Sequence, residues 1–485
     1  MAAAAASIDA SRAANDPDLP KFHLAPPVGR LNDPNGLIVE DGVHHAFYQF
    51  SPLHPRKLVY WGHASSTDLL TWRDHGPALA PDCIHDSHGV YSGTAVHTPD
   101  GVVLFYTGNV RDEDGGRTSN QCLATTSPDL MTATKHHDNP VVPPLPDSYT
   151  PHVRDPQVWA DPDGGYRMLL GAQRVDETGC ALLLRSPDLT RWSLEGELTF
   201  PDSDGRYDRF GYMWECPAIV QVPDEATGEL HDVLIFCPQG ITVDQAGAAE
   251  GLENIFACGY VVGRLEGTAF RQAGDFWELD RGFEFYAPQV VARSEPGPVE
   301  LMAWVGNASE DDQPSMDFGW VHLMSCVRQL SLRDGRLVQR PTPPFEQAAT
   351  VELPVSASRI EELEGSRSFL LELEIAPGTG GALTLTIGDP GCHVGFRIAD
   401  GVLTVDRSTT RYPHGDRRSV TLPEASADGL LRLQLAHDRS VDELFLADGL
   451  VSFTMRSYLA PDAAGITVEQ TGSLRVVSCR VLSLD

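Results

Sequence analysis

Basic residues are scarce in this chain. Only 36 Lys and Arg stand against 68 Asp and Glu among 485 residues, which gives a formal net charge of -32 at pH 7. A protein that binds nucleic acid needs an excess of cations to neutralise phosphates, so we expect no nucleic-acid partner. A neutral small molecule is not disfavoured, whereas an anionic ligand would need a local basic pocket because the overall field repels anions.

Long apolar runs and paired cysteines are also missing. No stretch reaches the roughly 18 consecutive apolar residues of a membrane helix, so we expect no membrane association. Residues 1–20 lack the basic region and apolar segment of a secretory signal, and we expect a flexible N-terminal tail on a cytoplasmic protein. The nine cysteines never form a C-x-x-C pair, which predicts reduced thiols, no metal and no other cofactor.

Five segments of the chain share one plan: a polar or Pro-marked entry, an apolar strand, a turn and an aromatic-rich strand. Their starts lie roughly 60 to 70 residues apart, at Leu31, Tyr91, Arg154, Glu215 and Tyr286. That spacing leaves room for a four-stranded sheet in each repeat. Asp-Gly or Gly-Gly pairs lie inside three of the connections and supply the turn chemistry of hairpins.

A second signature repeats with the same period. Ser-x-Asp-Leu occurs at residues 66–69, 127–130 and 186–189, each time after a strand-like run, which predicts a turn ahead of an outer strand. Helical periodicity is almost absent. The sequence therefore predicts an all-β fold, with a five-bladed β-propeller catalytic domain over residues 21–341.

The pattern changes after Arg340. A Pro-rich stretch predicts a linker at residues 342–350, and short alternating strands punctuated by Gly, Pro and Asp follow it. We therefore expect a C-terminal β-sandwich domain over residues 351–485. No chemical constellation is found there, so we expect a structural role or a contribution to a dimer or substrate rim.

The first strand of each propeller blade lines the central channel, so residues that begin the repeats should meet there. This places Asp33, Asp155 and Glu215 near one another. Taken singly, Asp33 in NDPNG is explained by a turn and Asp155 by a surface ion pair. Three carboxylates at the same phase of three repeats favour a shared site instead.

Glycoside hydrolysis needs one carboxylate that is ionised and one that delivers a proton. The flanking Trp214, Cys216 and Pro217 would desolvate Glu215 and raise its pKa, which suits a general acid/base. Asp33, in a turn rich in Asn side chains and backbone N–H groups, is expected to stay ionised and to act as nucleophile. Asp155 would then hold sugar hydroxyls.

Four motifs occur together and in order: NDPNG at 32–36, RDP at 154–156, WECP at 214–217 and FYAP at 285–288. As a set they resemble glycoside hydrolase family 32, which contains the invertases, levanases, inulinases and sucrose-6-phosphate hydrolases. WGHASSTDLLTW, FYTGN and QLSLRDGRLVQRP are similar to its bacterial intracellular branch. The resemblance is strong from about Phe22 to Pro341 and fainter towards the C-terminus.

The resemblance implies a five-bladed propeller joined to a β-sandwich, in agreement with the repeats. It implies Asp33 as nucleophile, Glu215 as general acid/base and Asp155 as transition-state stabiliser. The resemblance also extends to a set of positions around the sugar, several of them aromatic. Burial in the core is the alternative interpretation for these aromatic residues and for Gln49. The positions that would hold the fructosyl unit or shape its pocket are Asn32, Gln49, Trp61, Tyr91, Ser92, Arg154, Tyr286 and Trp304.

Two features bear on the substrate beyond the fructosyl unit. Many relatives carry Trp-Met before NDPNG, whereas this chain has Arg30-Leu31, which leaves that preference open. His54, Arg56 and Lys57 precede Trp61 near the expected mouth. They could meet a phosphate or simply form a solvated loop.

The leading hypothesis is a retaining hydrolase that releases terminal β-D-fructofuranosyl units from sucrose, sucrose-6-phosphate or short fructo-oligosaccharides. A fructosyltransferase with the same covalent intermediate is the second hypothesis. A non-catalytic sugar-binding propeller is a third, from another class. An inverting arabinan-type hydrolase is disfavoured by the combined motifs. The expected partner is a small sugar, and we expect a monomer or a homodimer.

Overall fold

The computed structural model describes residues 1–241, 256–342, 349–351, 358–376, 378, 380–423, 428–462 and 465–485. The fold is all-β, with a five-bladed β-propeller followed by a β-sandwich, which confirms the predicted class. Within these ranges, no helix combines the length and the apolar character that a membrane span demands. Short helical segments lie at Ala2–Asp9 (α1), Ala13–Asn15, Pro314–Phe318, Glu361–Leu363 and Ala447–Gly449.

The first three blades are antiparallel sheets of successive strands. Blade 1 contains β1 (Gly29–Glu40), β2 (Val43–Ser51), β3 (Tyr60–Ser66) and β4 (Arg73–Leu79). Blade 2 contains β5 (Val90–Tyr91), β6 (Ala95–Thr98), β7 (Gly101–Arg111), β8 (Arg117–Thr126) and β9 (Ala133–Lys135). Blade 3 contains β10 (Tyr149–Ala160), β11 (Tyr166–Arg174), β12 (Gly179–Ser186) and β13 (Ser193–Glu197).

The last two blades follow the same plan, and blade 5 also reaches blade 1. Blade 4 contains β14 (Met213–Pro223), β15 (Leu230–Gln239), β16 (Gly259–Glu266), β17 (Ala269–Arg271) and β18 (Trp277–Glu278). The strands that follow are β19 (Tyr286–Val290), β20 (Ala292–Arg293), β21 (Val299–Val305), β22 (Trp320–Val321), β23 (Leu323–Met324), β24 (Val327–Arg333) and β25 (Arg336–Thr342). Strands β20 and β22 pair in parallel with β1, which joins the end of the propeller to its beginning.

The C-terminal part forms two packed sheets of six strands each. Their strands, in chain order, are β26 (Ala349–Val351), β27 (Ser358–Arg359), β28 (Ser368–Ala376), β29 (Gly381–Asp389), β30 (Cys392–Ala399), β31 (Val402–Asp406), β32 (Arg417–Thr421), β33 (Leu431–Asp438), β34 (Val441–Leu446), β35 (Val451–Arg456), β36 (Ile466–Gly472) and β37 (Arg475–Ser483). One sheet has the order β26-β37-β28-β33-β34-β35 and the other β27-β36-β29-β30-β31-β32. Alternating apolar residues of both sheets fill the space between them.

Apolar clusters fill the interfaces between neighbouring blades. Trp61 and Tyr106 meet edge to face between blades 1 and 2, with ring centroids 6.2 Å apart. Phe105 and Trp192 do the same between blades 2 and 3 at 5.8 Å. These aromatic pairs bury large areas where two sheets face each other, so they hold the blades in fixed positions around the channel.

The repeated Ser-x-Asp-Leu motif is the turn that the sequence predicts. Leu69, Leu130 and Leu189 all have left-handed backbone, with φ of 60°, 59° and 71°. Ser66 Oγ accepts a hydrogen bond from the Leu69 N–H at 2.8 Å, and Ser186 Oγ accepts one from Leu189 at 2.9 Å. In these two blades the serine side chain replaces a backbone acceptor, whereas in blade 2 the Leu130 N–H donates to the Ser127 carbonyl at 2.9 Å. In all three blades the chain reverses here into the outer strand.

Buried ion pairs connect the propeller to the sandwich. Arg328 of blade 5 contacts Asp280 at 2.9 Å and also pairs with Glu443 of the sandwich, and all three side chains are fully buried. Glu284, just before blade 5, pairs with Arg407 of the sandwich at 2.7 Å. These charges are compensated only while the two parts stay together, so the network couples their positions.

Residues 1–20, for which the sequence predicts a flexible tail, contact the body of the protein. Ala4 is fully buried, and the Trp320 indole N–H donates to Asp16 at 2.8 Å. Asp18 pairs with Arg367 at 2.8 Å and with Arg411. Burial and charge pairing both anchor this segment. Its alanine-rich composition does not predict these contacts.

The predicted linker at 342–350 falls mostly on residues 343–348, which lie outside the described residues. Its two ends belong to strands, because Thr342 closes β25 and Ala349 opens β26. Strand β26 pairs with β37 and therefore belongs to the sandwich. The limits of the domains stay a prediction.

Candidate active site

The innermost strands of four blades carry the same irregularity. Their pairing shifts register at Leu31/Pro34 in β1, Arg154/Gln157 in β10, Glu215/Ala218 in β14 and Tyr286/Gln289 in β19. Within these bulges Asp155, Cys216 and Ala287 have left-handed backbone and each precedes a proline, which needs no ladder N–H. A bulge re-aims side chains, so four equivalent bulges direct four motifs into one channel.

One cavity of about 300 Å³ lies where these bulges meet. It contains all three predicted catalytic carboxylates, although they come from blades 1, 3 and 4. The principal residues that line it are Arg30, Asn32, Asp33, Gln49, His54, Lys57, Tyr91, Arg117, Arg154, Asp155, Glu215, Cys216, Gln239, Tyr286, Trp304 and Asp311.

Asp33 lies in a shell of neutral hydrogen-bond donors. Its Oδ1 accepts from Asn32 Nδ2 at 3.0 Å, and its Oδ2 accepts from Gln49 Nε2 at 3.0 Å and from the Ser92 hydroxyl. Burial raises the pKa of Asp33, and the hydrogen bonds from Ser92 and Asn32 oppose that rise. The carboxylate is therefore oriented by three donors, and no Lys, Arg or His of the described residues pairs with it.

Cys216 links the other two strands to this group. Its backbone N–H donates to Asp155 Oδ2 at 3.0 Å, and its Sγ lies 3.7 Å from the same oxygen. The Sγ also lies 3.9 Å from Asp33 Oδ2. Burial raises the pKa of Asp155, and the nearby Glu215 carboxylate adds to the rise. Two buried carboxyl groups thus approach the same thiol.

Three different donors hold the Glu215 carboxyl group. Arg154 Nη2 is 2.7 Å from its Oε1, while Gln239 Nε2 and the Tyr286 hydroxyl each donate to its Oε2 at 2.7 Å. The side chain is 19% exposed, so it keeps access to the cavity. Burial and the neighbouring Glu215 carboxylate raise the pKa of Tyr286 well above its usual range, so its hydroxyl keeps the proton that it donates.

The apolar surroundings predicted for Glu215 are wrong. Neighbouring side chains alternate along a strand, and Trp214 points into the core, where its indole N–H donates to the Phe210 carbonyl at 2.6 Å. The Cys216 thiol points towards Asp33 and Asp155. Polar groups from other strands surround the Glu215 carboxyl instead.

Comparison with known families and structures agrees with this site. The model for the N-terminal domain of the glycosyl hydrolases family 32 matches residues 23–341, and the model for the family's C-terminal domain matches residues 342–483. This chain belongs to glycoside hydrolase family 32. Together the two models cover nearly its whole length.

Relatives and solved structures of the family match over full length. The sucrose-6-phosphate hydrolase of Klebsiella pneumoniae is 38% identical over 480 residues, which cover 96% of this chain and 94% of that protein. That of Bacillus subtilis is 34% identical, with 94% and 92% covered. The structure of sucrose-6-phosphate hydrolase from Lactobacillus gasseri superposes with a TM-score of 0.85 at 29% identity, covering 99% and 96% of the two chains. A GH32 β-fructofuranosidase of Bombyx mori gives 0.80 at 28% identity, with the same coverage.

Most substrate-binding residues predicted for this family 32 site line the cavity. Trp61 is an exception: it is fully buried in the cluster between blades 1 and 2, and its indole N–H donates to the Tyr91 carbonyl at 3.1 Å. It supports the cavity wall from behind. Ser92 is also fully buried and reaches the site through its hydrogen bond to Asp33.

Several residues that line the site are not predicted by the sequence motifs. Gln239 lies at the end of β15, and Arg117 opens β8, next to the Tyr91 ring at 5.9 Å. Neither belongs to a motif, and both lie outside the innermost strands, whose repeated pattern marks the predicted site residues. Asp311 and Phe256 reach the cavity from loops. Of the loop His54, Arg56 and Lys57, the first and third line the cavity.

Arg30 occupies the position where the sequence departs from many relatives. It pairs with Asp311 at 2.8 Å, donates to Asn32 Oδ1 at 2.9 Å and lies 4.9 Å from the Trp304 ring. The guanidinium thus fixes Asn32 and covers Trp304, and so contributes to the wall of the site.

Two groups of possible metal ligands occur within the described residues, and both lie apart from the cavity. One contains His23, Cys326 and Glu443 at the junction of propeller and sandwich; the other contains His136 to Asp138. In the first, Glu443 is already paired with Arg328 and His23, so the charges are compensated within the protein. The absence of a metal and of other cofactors stays a prediction.

Proposed function

We propose that this chain is a retaining β-fructofuranosidase that hydrolyses sucrose or sucrose-6-phosphate. Three acidic side chains, Asp33, Asp155 and Glu215, reach one cavity from three blades, and this observation carries the proposal. Two carboxylates that face one sugar ring are the equipment of retaining glycosidases. Relatives named sucrose-6-phosphate hydrolases support the choice of a sucrose-type sugar as substrate.

The first step uses Asp33 and Glu215. The Asp33 carboxylate attacks the anomeric carbon of the fructosyl unit, the bond to the glucosyl oxygen breaks, and Glu215 gives that oxygen its proton. Ser92, Gln49 and Asn32 orient Asp33 for this attack, and within the described ranges no cationic side chain pairs with its carboxylate. The product of the step is a fructosyl ester of Asp33.

The second step reverses the proton transfer. Glu215 now accepts a proton from water, the water oxygen attacks the anomeric carbon, and Asp33 leaves as a carboxylate. Tyr286, Gln239 and Arg154 keep the Glu215 carboxyl in place through both steps. Two displacements on one carbon retain its configuration.

Asp155 acts on the sugar rather than on the broken bond. The Cys216 N–H holds one of its oxygens, and the side chain lines the cavity. A carboxylate that accepts hydrogen bonds from ring hydroxyls binds more tightly as positive charge grows at the anomeric carbon. We assign it to transition-state stabilisation.

An activity panel tests the proposal. The full-length protein is assayed with sucrose, sucrose-6-phosphate, raffinose, inulin and levan, and fructose release is measured. Asp33→Asn should lower kcat by about 10⁴-fold or more because the nucleophile is lost. Asp163→Asn, an exposed residue in a turn of blade 3, serves as the matched control. Lack of fructose release from every sugar in the panel would reject the function.

Transfer and hydrolysis share the first step, so the same panel separates them. At high sucrose, a fructosyltransferase forms longer saccharides, whereas a hydrolase forms free fructose in amounts equal to the leaving hexose. We expect hydrolysis to dominate. Retention is read with methanol as acceptor, which should give methyl β-fructofuranoside.

We also propose that the enzyme works in the cytoplasm. All nine cysteines are free, and seven of them are buried, which suits a reducing compartment. Cell fractionation with activity measurement tests this location. Whether the chain is a monomer or a homodimer is tested by light scattering coupled to size-exclusion chromatography.

A further inference from the structure

The cations that line the active-site cavity differ in their partners. Arg154 pairs with Glu215 at 2.7 Å, and Arg30 pairs with Asp311 at 2.8 Å. Arg117 also lines the cavity, yet it forms no ion pair with any Asp or Glu in the part of the chain that the structure describes. In a protein with net charge -32, a cation left without an acid at a ligand site is unusual and points to an anionic ligand.

The blade 1 side of the cavity offers a weaker site for an anion. Asp311 neutralises Arg30 there. Burial lowers the pKa of the nearby His54, so the imidazole is neutral at pH 7. Lys57 is the remaining charge on that side, and it is exposed on a loop. A solvated lysine gives an anion little fixed geometry.

Arg117 is half-buried and held from two sides. Its Nη1 lies 3.3 Å from His152 Nδ1, and its guanidinium carbon lies 5.9 Å from the ring centroid of Tyr91. Arg154 Nη1 approaches the same His152 nitrogen at 3.3 Å. A guanidinium only donates hydrogen bonds, so His152 Nδ1 must be the acceptor and the ring proton lies on Nε2.

Two guanidinium groups therefore share one neutral imidazole. Burial, followed by the charges of Arg154 and Arg117, lowers the pKa of His152, which keeps the ring uncharged. Burial and then Arg154 lower the pKa of Arg117. The local field is positive and only partly compensated, since Glu215 is already paired with Arg154. A bound anion would relieve it.

We propose that Arg117, oriented by His152, binds a phosphate monoester carried by the hexose that leaves from Glu215. The inference rests on the proposed function, because Glu215 marks the side of the cavity on which the leaving group departs. Arg117 and Glu215 line the same cavity, and Arg154, which pairs with Glu215, contacts the same His152 nitrogen as Arg117, which places Arg117 on that side. Its planar fork suits two phosphate oxygens at once.

The test compares two substrates that differ only in the phosphate. We would measure kcat/KM for sucrose and for sucrose-6-phosphate with the wild-type protein and with Arg117→Met, Arg117→Lys and Lys57→Met. Arg209→Met, an exposed arginine of the segment before blade 4, is the matched control. Inhibition by glucose-6-phosphate relative to glucose gives a second readout that does not depend on turnover of the phosphorylated substrate.

The wild-type protein should prefer sucrose-6-phosphate, and Arg117→Met should lower the ratio of the two kcat/KM values by about ten-fold or more. Arg117→Lys should recover part of the ratio, whereas Lys57→Met and the control should change it less than about two-fold. Inhibition by glucose-6-phosphate should weaken in parallel.

Three results would overturn the inference: no preference for the phosphate in the wild-type protein, an unchanged ratio in Arg117→Met, or loss of the preference in Lys57→Met alone. Failure of the wild-type protein to cleave either sugar is a different result. It would reject the proposed function itself.

Discussion

The Tyr286 hydroxyl donates a hydrogen bond of 2.7 Å to Oε2 of Glu215, across the boundary between blades 5 and 4. Replacing the tyrosine with phenylalanine removes this donor and leaves Gln239 as the remaining donor to that oxygen. We expect Tyr286→Phe to lower kcat/KM for sucrose by about ten-fold, since the carboxyl is less firmly held. Steady-state kinetics measures the loss.

The matched control for this change is Tyr212→Phe. Tyr212 lies on the outside near the start of blade 4 and is 47% exposed. Its substitution should leave kcat/KM within about two-fold of the wild-type value. Equal activities in both variants would show that the Tyr286 contact does not position Glu215.

Glu215→Gln tests the second carboxylate through the leaving group. The amide cannot give a proton to the glucosyl oxygen, so kcat/KM for sucrose should fall by about 10²- to 10⁴-fold. Fluoride leaves without protonation, so kcat/KM for β-fructosyl fluoride should fall much less. An equal loss with both substrates would assign the proton donor to another residue.

The ionised Asp155 side chain should lower the free energy of unfolding of the protein at neutral pH. Burial raises the pKa of Asp155, so the folded protein binds that proton more tightly than the unfolded chain does. Ionising it therefore costs folding free energy at pH values above the unfolded pKa of about 3.9, and stability falls as the pH rises from there. Asp155→Asn keeps an oxygen for the Cys216 N–H and removes the charge.

We therefore expect Asp155→Asn to raise the melting temperature at pH 7 by about 2 °C or more while most activity is lost. The gain should shrink as the pH approaches about 4, because the wild-type carboxyl is then protonated as well. Differential scanning calorimetry across pH measures this, with Asp163→Asn as control. A lower melting temperature at pH 7 would contradict the account.

Arg328 tests the coupling between propeller and sandwich. Removing its charge leaves the buried Asp280 and Glu443 without their shared cation. We expect Arg328→Met to destabilise the protein by about 3–5 kcal/mol. Arg191→Met breaks an exposed pair with Asp188 and should change the melting temperature little. Similar effects in both variants would show that the interface does not depend on this network.

The sequence was informative where the fold repeats itself. The NDPNG, RDP and WECP motifs each lie at a bulge of an innermost strand, and this bulge recurs in four blades. Their common phase in the repeat therefore predicts a common cavity. The Ser-x-Asp-Leu turns follow from local side-chain hydrogen bonds, which neighbouring residues determine. Both features are encoded within a few residues.

Contacts between distant segments could not be predicted in this way. Trp61 belongs to a family position at the site, yet packing against Tyr106 of blade 2 holds it in the core. Gln239 ends the second strand of blade 4 and Arg117 begins β8 of blade 2, so neither lies on an innermost strand, yet both line the cavity. The surroundings of Glu215 depend on three other strands and not on its neighbours in sequence.

The central claim is that Asp33 and Glu215 act on one anomeric carbon through a covalent intermediate. Glu215→Gln mixed with β-fructosyl fluoride should form the ester rapidly and break it down slowly, because the base for the second step is missing. Peptide mass spectrometry should then find one fructosyl group on Asp33. A fructosyl group on another residue, or hydrolysis to α-fructofuranose with no adduct, would contradict the account.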